Sequence, residues 1–316
     1  MRAPDPTRRK FAAGALACGL LGTFGMRPAF ARPDADDDQI AVALTGGRFV
    51  HEVVAGDHLT AIGARFGVDP AVLARENGLG ASTRLRPGQL LQIDNRHLAP
   101  AGLDDGILIN IPQRMLYWFE GARPLAAWPA ALGKPDWATP TGAFQVASLE
   151  QDKPWIVPKS IQEEMRREGK PVITRVEPGP DNPLGRHWIG LSLPGYGIHG
   201  TIAPTSIYGF RSHGCIRMHP DDVAALFARL VIGSPGRLVY QPTLLGRCAD
   251  DRIHAEIHRD PYRRSPVNVD RIRRLADREG LSDRIDWERV RDAVRAQDGI
   301  ARDVELSQPT ADPATS

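Results

Sequence analysis

One cysteine in this sequence is flanked by the residue types that activate a thiol. Cys215 lies in the run Ser212 to Arg217, which reads SHGCIR, and His199 followed by Gly200 stands upstream. A thiol attacks as its thiolate, and at an ordinary pKa of roughly 8.5 only a few per cent is ionised at neutral pH. A neighbouring imidazole can accept the proton, and nearby cationic charge lowers the pKa of the thiol further. The cluster therefore makes acyl transfer through Cys215 chemically feasible.

Two glycines beside this cluster favour the same chemistry. Gly200 and Gly214 carry no Cβ, so the backbone can approach a bound substrate closely at both positions. Backbone amides around residues 214–215 could then hold the oxyanion that forms during acyl transfer. We therefore expect the backbone, as well as the side chains, to take part.

Other interpretations of these residues remain open at this point. His199, His213, Cys215 and His219 include the donor types that zinc prefers, although their spacings do not match a common structural zinc site. A cysteine that is simply buried, with incidental histidines nearby, would need no function at all. The residue types alone exclude neither a zinc site nor an inert buried thiol.

The overall composition limits the classes of partner. The 316-residue chain has a formal net charge of +2, with 42% hydrophobic and 25% charged residues. Such near balance removes the electrostatic argument for nucleic-acid binding. No apolar run reaches the length of about 20 residues that spans a bilayer. We therefore predict two or three globular domains, no nucleic-acid partner, and no transmembrane segment after signal cleavage.

Residues 1–31 have the pattern of a cleaved export signal. Paired arginines at 8–9 precede an apolar stretch at 11–26, and small residues at 29–31 suit a signal peptidase. The paired arginines favour the twin-arginine route. We therefore expect an exported protein of the periplasm or cell wall.

Two cysteines remain in the chain after that cleavage, Cys215 and Cys248. A secreted protein stabilised by disulfides usually carries more. The two could pair in an oxidising compartment, or one of them could be a working thiol.

Residues 49–94 have the pattern of a small α+β unit. A strand-like run at 49–54 is followed by two helical segments, and a second strand-like run closes the unit. Asp57 and Asp69 are residue types that begin helices, so we predict that each caps one. The predicted order is strand, helix, helix, strand.

Residues 106–241 form a longer unit dominated by strands. Short apolar runs punctuated by glycine and proline are typical of a β-sandwich or a partly closed barrel. One amphipathic helix is predicted from Pro220, with its apolar stripe ending at Leu230. An insertion at 151–183, rich in proline, tryptophan and charge, could be a lid over a site or a cover for a sheet edge.

Residues 242–316 predict a charged helical extension. Its two amphipathic helices are indicated by apolar residues at helical spacing: Val269, Ile272, Leu275, Trp287, Val290 and Val294. Arginine-rich faces on such helices are more typical of solvated surface than of a binding site. The final residues, rich in proline, threonine, alanine and serine, predict disorder.

The segment at 49–94 resembles a LysM module over its whole length. The resemblance rests on the following residues: Val53 to Leu59 (VVAGDHL), Ile62, Phe66 to Val68, Asn77 to Leu79, and Leu85 to Leu90 (LRPGQL). His58 stands where the family often has threonine or serine. The resemblance implies a βααβ fold that binds glycan strands containing N-acetylglucosamine, in peptidoglycan or chitin.

The segment at 106–241 resembles the L,D-transpeptidase catalytic domain of the YkuD or ErfK type. Its signature is His199-Gly200-Thr201 followed by Ser212 to Arg217. Further matches extend over most of the unit: Thr139 to Gly142, Pro154 to Ile161, Gly179 to Gly185, and Pro220 to Leu230. By motif position, the resemblance implies Cys215 as nucleophile and His199 as general base and acid.

The same resemblance implies supporting roles around the nucleophile. Ser212, His213 and Gly214 would shape its turn and the oxyanion site, with Gly200 beside them. Arg217 would either hold the loop or meet a carboxylate of the substrate. The resemblance implies no metal ion and no cofactor.

The expected protein is thus multidomain α+β. A small LysM βααβ domain is followed by a mainly β L,D-transpeptidase sandwich or barrel and then a helical C-terminal tail. The implied donor is a peptidoglycan tetrapeptide stem, which Cys215 would bind as a thioester with release of D-alanine. An acceptor would then resolve the thioester: another stem peptide, water, a D-amino acid, or a lysine of a wall-attached lipoprotein.

Two other functions remain as alternatives. One is a LysM-bearing cysteine peptidase or L,D-carboxypeptidase that hydrolyses stem peptides, although cysteine endopeptidases of the wall usually place the cysteine before the histidine. The other is an inactive wall-binding protein, against which the intact motif counts.

Overall fold

A computed structural model describes residues 39–80 and 82–307 of the chain. The predicted export signal and the end of the chain beyond residue 307 lie outside the described residues. Over the described part, none of the helices combines the length and apolar character required to cross a bilayer.

The first unit has the predicted order of strand, helix, helix and strand. After a short strand β1 (Ala43–Thr45), its elements are β2 (Arg48–Glu52), α1 (Leu59–Phe66), α2 (Pro70–Glu76) and β3 (Leu90–Asp94). Strands β2 and β3 pair antiparallel. Leu59, Ile62 and Leu73 of the helices pack on Leu91 and Ile93 of β3 in one buried cluster. The expected βααβ fold of a LysM domain is confirmed.

The two helices of this unit begin with side-chain caps, one of which differs from the prediction. Asp69 caps α2, since its Oδ1 accepts the Ala71 amide at 2.9 Å. At α1 the cap is His58, whose Nδ1 accepts a backbone amide at 3.2 Å. The prediction that Asp57 caps α1 is wrong, because its carboxylate is engaged by the ring of His51 at 2.8 Å.

The second unit is a β-barrel reached through strand β4 (His97–Ala99), which pairs with β1. Its strands are β5 (Gly106–Asn110), β6 (Met115–Glu120), β7 (Arg123–Gly133), β8 (Gly142–Gln151), β9 (Trp155–Ile156), β10 (Arg175–Val176), β11 (His187–Leu191), β12 (Gly197–His199), β13 (Phe210–Ser212), β14 (Ile216–Met218) and β15 (Pro235–Val239). Its helices are α3 (Lys159–Arg167), α4 (Pro220–Phe227) and two short 3₁₀ helices, Pro135–Trp137 and Pro204–Ser206.

Eight of these strands close into a ring. The order is β6, β5, β15, β8, β11, β12, β14 and β7, and β7 pairs back with β6. The long strands β7 and β8 each pair with one neighbour along their first part and another along their last part. Each of them therefore links two neighbouring strands of the ring. The predicted sandwich or barrel is confirmed.

Helix α4 covers the barrel beside the strands that carry the signature. Its Val223 and Leu226 belong to the same buried cluster as Ile198 of β12 and Ile216 of β14. Burial of these apolar side chains contributes roughly 1.5–3 kcal/mol each. The helix begins at Pro220, as predicted.

The third unit combines a small antiparallel sheet with two helices. It contains β16 (Thr243–Arg247), β17 (Ile253–Ile257), α5 (Val269–Arg278), a 3₁₀ helix (Ser282–Arg284), α6 (Trp287–Ala296) and β18 (Arg302–Asp303). Both predicted helices are present. The prediction of a helical extension missed the sheet of this unit. Its strand β17 has a strand-like pattern, because Ile253, Ala255 and Ile257 alternate with polar residues.

The first unit packs directly on the barrel. Ala64 of α1 lies in one buried cluster with Tyr117 and Tyr208 of the barrel. Arg65 of α1 makes an ion pair with Asp222 of α4 at 2.9 Å. The LysM fold is therefore joined to the barrel by packed side chains as well as by the chain itself.

Candidate active site

Two short parallel strands bring the predicted nucleophile and base together. Strands β12 and β14 pair with Ile198 opposite Ile216 and His199 opposite Arg217. Cys215 is the residue directly before β14. Ile198 and Ile216 belong to the buried barrel core. Successive side chains of a strand point to opposite faces, so His199, Cys215 and Arg217 share the other face.

His199 has the tautomer that a base for the thiol requires. The residue is 4% exposed, and its Nδ1 lies 2.7 Å from the carbonyl oxygen of Gly200. A carbonyl can only accept, so Nδ1 carries the hydrogen and Nε2 keeps its lone pair. Trp188 stacks on the imidazole with ring centroids 5.8 Å apart. The imidazole is thus oriented by its neighbours, with Nε2 able to accept a proton.

Both groups of the pair are uncharged at neutral pH. Burial and then the positive charge of Arg217 lower the pKa of His199 to about 4, against smaller opposing effects of the backbone of Gly200 and of Leu184. Burial raises the pKa of the Cys215 thiol, although the backbone of Gly197 and the charge of Arg217 act to lower it. From the sequence we expected flanking cations to activate the thiol, but burial outweighs them. A reaction through this thiol would therefore require its proton to be removed during the attack.

Ser212 holds the turn that presents Cys215. Its Oγ donates to the Cys215 carbonyl at 2.5 Å and accepts the Gly214 amide at 3.1 Å. Gly214 has a φ of 106°, and a Cβ there would lie 2.8 Å from Cε1 of Tyr196. Only glycine fits both the backbone angle and the space. The turn is therefore set by Ser212 and Gly214 together.

One backbone amide of this turn is left as an oxyanion donor. The Gly214 amide is occupied by Ser212. Over residues 39–80 and 82–307, no hydrogen-bond acceptor lies on the amide of Cys215. A preorganised amide beside the attacked carbonyl stabilises the charge that develops in acyl transfer. The geometry therefore favours the amide of Cys215, and not that of Gly214, as the oxyanion donor.

Two residues that the sequence analysis did not single out support the turn from behind. The Thr139 hydroxyl donates to the Gly214 carbonyl at 2.9 Å and accepts the Gly133 amide at 2.9 Å. Tyr262, from beyond the barrel, donates its hydroxyl hydrogen to the Gly133 carbonyl at 2.6 Å. Thr139 lies in a segment that matched the catalytic domain, whereas no local signal marks Tyr262.

His213 faces the insertion. Its Nε2 contacts Oε2 of Glu164 on α3, and Lys134 binds the other oxygen of that carboxylate at 2.7 Å. Lys134 and then His213 lower the pKa of Glu164 to about 2. The insertion therefore reaches the nucleophile turn, which supports the lid interpretation over a simple cover for a sheet edge.

Arg217 brings an uncompensated charge to the same face. Its guanidinium has no hydrogen-bond or ion-pair partner within the described part of the chain. Burial lowers its pKa, and the nearby Cys215 acts in the opposite direction. A half-buried guanidinium without a partner beside a nucleophile is suited to bind a carboxylate.

The four residues considered as zinc ligands do not converge. His213 is bound to Glu164, and Nδ1 of His219 accepts a backbone amide at the start of α4 at 3.3 Å. In residues 39–80 and 82–307, the group of donor side chains close enough to share an ion lies elsewhere: His97, Glu256 and His258.

Cys248 stands apart from this site. Both described cysteines are free thiols, so the pairing of Cys215 with Cys248 is not made. Sγ of Cys248 lies 3.3 Å from Nδ1 of His254, and burial raises the pKa of this second thiol to about 11.

Comparison with known proteins gives two family matches. The model of the L,D-transpeptidase catalytic domain (YkuD) matches residues 104–239, and that of the LysM domain matches residues 51–94.

Individual relatives agree with these matches. A probable L,D-transpeptidase of Salmonella typhimurium, ErfK/SrfK, is 27% identical over 235 residues, which cover 70% of this chain and 74% of the relative. YkuD of Bacillus licheniformis, whose name is putative L,D-transpeptidase YkuD, is 31% identical over 178 residues, covering 56% of this chain and 90% of the relative. The chain spans 65% and 56% of the lengths of the Escherichia coli relatives YcfS and YbiS. The solved structure of L,D-transpeptidase 3 from Mycobacterium tuberculosis is 17% identical, with a TM-score of 0.34, and covers 49% of this chain and 76% of that one.

Proposed function

The chain belongs to the L,D-transpeptidase family of the YkuD type, and from that premise we propose that it is a peptidoglycan L,D-transpeptidase with Cys215 as nucleophile and His199 as base. The observation that carries the proposal is the orientation of His199. Its Nδ1 is bound to the Gly200 carbonyl, and its strand lies beside the one that follows Cys215. An imidazole so held can move a proton only through Nε2.

In the first half of the reaction, a tetrapeptide stem is the acyl donor. Nε2 of His199 takes the proton from Cys215 while Sγ attacks the carbonyl carbon that joins the L- and D-centres. The Cys215 amide stabilises the oxyanion. When the carbon–nitrogen bond breaks, His199 returns the proton to the departing amine. D-alanine leaves and a thioester remains.

In the second half, an amine resolves the thioester. His199 removes a proton from the amine as its nitrogen attacks the thioester carbon. The carbon–sulfur bond then breaks, and the proton on His199 restores the thiol. With a second stem peptide as the amine, the product is a 3-3 crosslink. Both halves use one base because it acts alternately as base and acid.

The other residues of the signature have proposed supporting roles. Ser212 and Gly214 hold the turn, Gly200 sets the tautomer of His199 through its carbonyl, and His213 connects the turn to α3. Arg217 binds a carboxylate of the donor, since its guanidinium has no partner in the described residues.

The remaining parts direct this chemistry to the wall. We propose an export signal at 1–31, a glycan-binding LysM domain at 49–94, the catalytic domain at 106–241 and an extension at 242–316. The enzyme then works in the periplasm or cell wall on stem peptides of the strand that its LysM domain binds. A lysine of a wall-attached lipoprotein is another acceptor that the same thioester could serve.

The test is turnover of defined fragments. The mature protein is incubated with disaccharide-tetrapeptides, and the products are analysed by mass. We expect crosslinked dimers that have lost one D-alanine per bond. Plain loss of D-alanine would instead identify an L,D-carboxypeptidase, and no turnover would identify an inactive wall-binding protein.

Matched variants test the assignment of the residues. Cys215→Ala should abolish product, whereas Cys248→Ala, which removes the other described thiol, should retain it. His199→Gln should lower the rate by about 10²–10⁴-fold, as expected for loss of a general base. Full activity of Cys215→Ala would contradict the nucleophile assignment.

A further inference from the structure

A cavity beside α3 is not used by the chemistry proposed above. It has a volume of about 420 Å³ and is lined by Trp137, Ser160, Glu163, Arg166 and Arg167. Four of these residues come from α3, where positions three and four apart lie on one face of a helix. The volume is within the range of sites that bind small molecules, roughly 300–1,000 Å³.

The lining carries excess positive charge. Neither Arg166 nor Arg167 has a hydrogen bond or ion pair from its guanidinium within residues 39–80 and 82–307. Glu163 is the single acidic residue of the lining. The neighbouring acid Glu164 is already engaged by Lys134 and His213. Two exposed arginines without such partners therefore line the cavity together with one glutamate, and guanidinium geometry matches a carboxylate ligand.

Trp137 connects this cavity to the nucleophile turn. Its ring packs edge-on against His213 with centroids 5.0 Å apart. Its carbonyl oxygen would lie 3.6 Å from a Cβ on Gly214. Arg217, the proposed partner of the donor, does not line the cavity. The face that carries His199, Cys215 and Arg217 therefore adjoins a second cationic region, which is separate from Arg217.

We propose that this cavity holds the C-terminal carboxylate of the acceptor peptide, bound by Arg166 and Arg167 with Trp137 as its apolar wall. The inference rests on the proposed transpeptidase function, because a reaction with two peptides needs a second binding region beside the thiol. It distinguishes acceptors by charge: water has no carboxylate, whereas a second stem peptide ends in one. We therefore expect an anionic peptide, such as a second stem, to be preferred over water as the acceptor.

The experiment varies the carboxylate and the arginines together. The donor is a disaccharide-tetrapeptide, and the acceptor is a stem tripeptide, which has no D-alanine to lose and cannot act as donor. The tripeptide is used as the free acid and as its C-terminal amide. For the wild type we expect the KM of the free acid to be about 10–100-fold lower than that of the amide, as charge-assisted hydrogen bonds predict.

The double variant Arg166→Ala/Arg167→Ala should raise the KM of the free acid toward that of the amide and leave the KM of the amide unchanged. Replacing both arginines by lysine should restore part of the difference, because the charge returns without the fork geometry. Arg175→Ala is the control, since this arginine of the same insertion is paired with Glu177.

The outcomes separate the two proposals. Transfer to the tripeptide with equal KM values for acid and amide, or a double variant that retains the difference, would overturn the acceptor site and leave the transpeptidase function intact. Failure of the wild type to release D-alanine would overturn the proposed function and this inference with it. The unfolding midpoint of each variant, measured by circular dichroism, verifies that the change in KM comes from a folded protein.

Discussion

At the scale of single residues, the proposed chemistry depends on two groups that are both neutral at rest. Burial holds the pKa of His199 near 4 and raises that of the Cys215 thiol. An ion pair of thiolate and imidazolium would need the opposite shifts. The proton is therefore transferred during the attack, so His199 must be deprotonated for each turnover to begin.

The acid side of the pH profile tests this description. Because the pKa of His199 is lowered to about 4, the base is neutral above that pH and becomes protonated below it. We expect kcat/KM for D-alanine release to stay level as the pH falls through 6.5 and to decline only near pH 4. The profile is measured with a soluble tetrapeptide, and circular dichroism at each pH serves as the control for folding. A decline centred near 6.5 would contradict the buried, neutral imidazole.

At the scale of elements, helix α3 is attached to the site through few contacts. None of its residues is buried. Glu164 joins it both to His213 in the nucleophile turn and to Lys134 after β7. A helix without a buried face depends on such polar contacts for its position. Glu164 therefore determines how closely α3 lies over the turn.

Replacement of Glu164 should release this helix. We expect Glu164→Ala to increase the rate of trypsin cleavage after Arg166 and Arg167 by about tenfold, because local opening becomes easier. Glu163→Ala is the matched control on the same helix, since Glu163 makes no hydrogen bond or ion pair within the described residues. Equal cleavage of the two variants would show that α3 is held by other contacts.

The same contact has a defined pH dependence. Lys134 and His213 lower the pKa of Glu164 to about 2, from an ordinary value of 4.5. A carboxylate with a lowered pKa stabilises the folded arrangement above its ordinary pKa and loses that effect as the pH falls toward the lowered value. Opening of α3 in the wild type should therefore appear below pH 4.5, and the acid protease pepsin replaces trypsin for this measurement.

At the scale of the whole molecule, one buried carboxylate joins all three units. Glu256 of β17 is 0% exposed. Its Oε1 lies 2.7 Å from Nδ1 of His97, 2.6 Å from Nε2 of His258 and 2.9 Å from Nε2 of Gln113. Its Oε2 accepts the Leu98 amide at 2.5 Å. Ligands of a tetrahedral zinc ion would stand roughly 3.3 Å apart, so these spacings describe hydrogen bonds.

The ring of His97 extends this network to the LysM domain. Its Nδ1 faces the carboxylate of Glu256, and its Nε2 lies 2.9 Å from the carbonyl oxygen of Gly67, at the end of α1. Both neighbours are hydrogen-bond acceptors, and the buried imidazole of His97 is paired with Glu256. The pair connects the LysM helix, the linker strand and the third unit.

Removing that carboxylate should destabilise the whole protein. Glu256→Gln removes the buried carboxylate that binds His97 and His258, and we expect the free energy of unfolding to fall by about 3–5 kcal/mol. Urea unfolding provides the measurement, and the exposed Glu288→Gln is the control. Burial raises the pKa of Glu256, but His97 and His258 together lower it to about 2, below the ordinary 4.5. Its contribution to stability is present above pH 4.5 and disappears as the pH falls toward 2.

The sequence by itself determined the order of the parts, and it indicated the residues that we propose carry the chemistry. The LysM pattern and the run from Ser212 to Arg217 are local, because helix spacing, turn glycines and motif order are properties of neighbouring residues. The local pattern wrongly predicted that Asp57 caps α1, because a residue suited to cap a helix can instead bind another side chain. The strands of the third unit were missed because their alternation is short.

Only the tertiary structure determined the contacts and the pKa values of those residues. The contact of His213 with Glu164 spans 49 positions, the support of Gly133 by Tyr262 spans 129, and the pairing of His97 with Glu256 spans 159. Burial depends on every segment that packs around a group, so the pKa of His199 and that of Cys215 have no local signal. A motif can name a nucleophile and a base, but the surrounding fold determines the protonation state in which they begin the reaction.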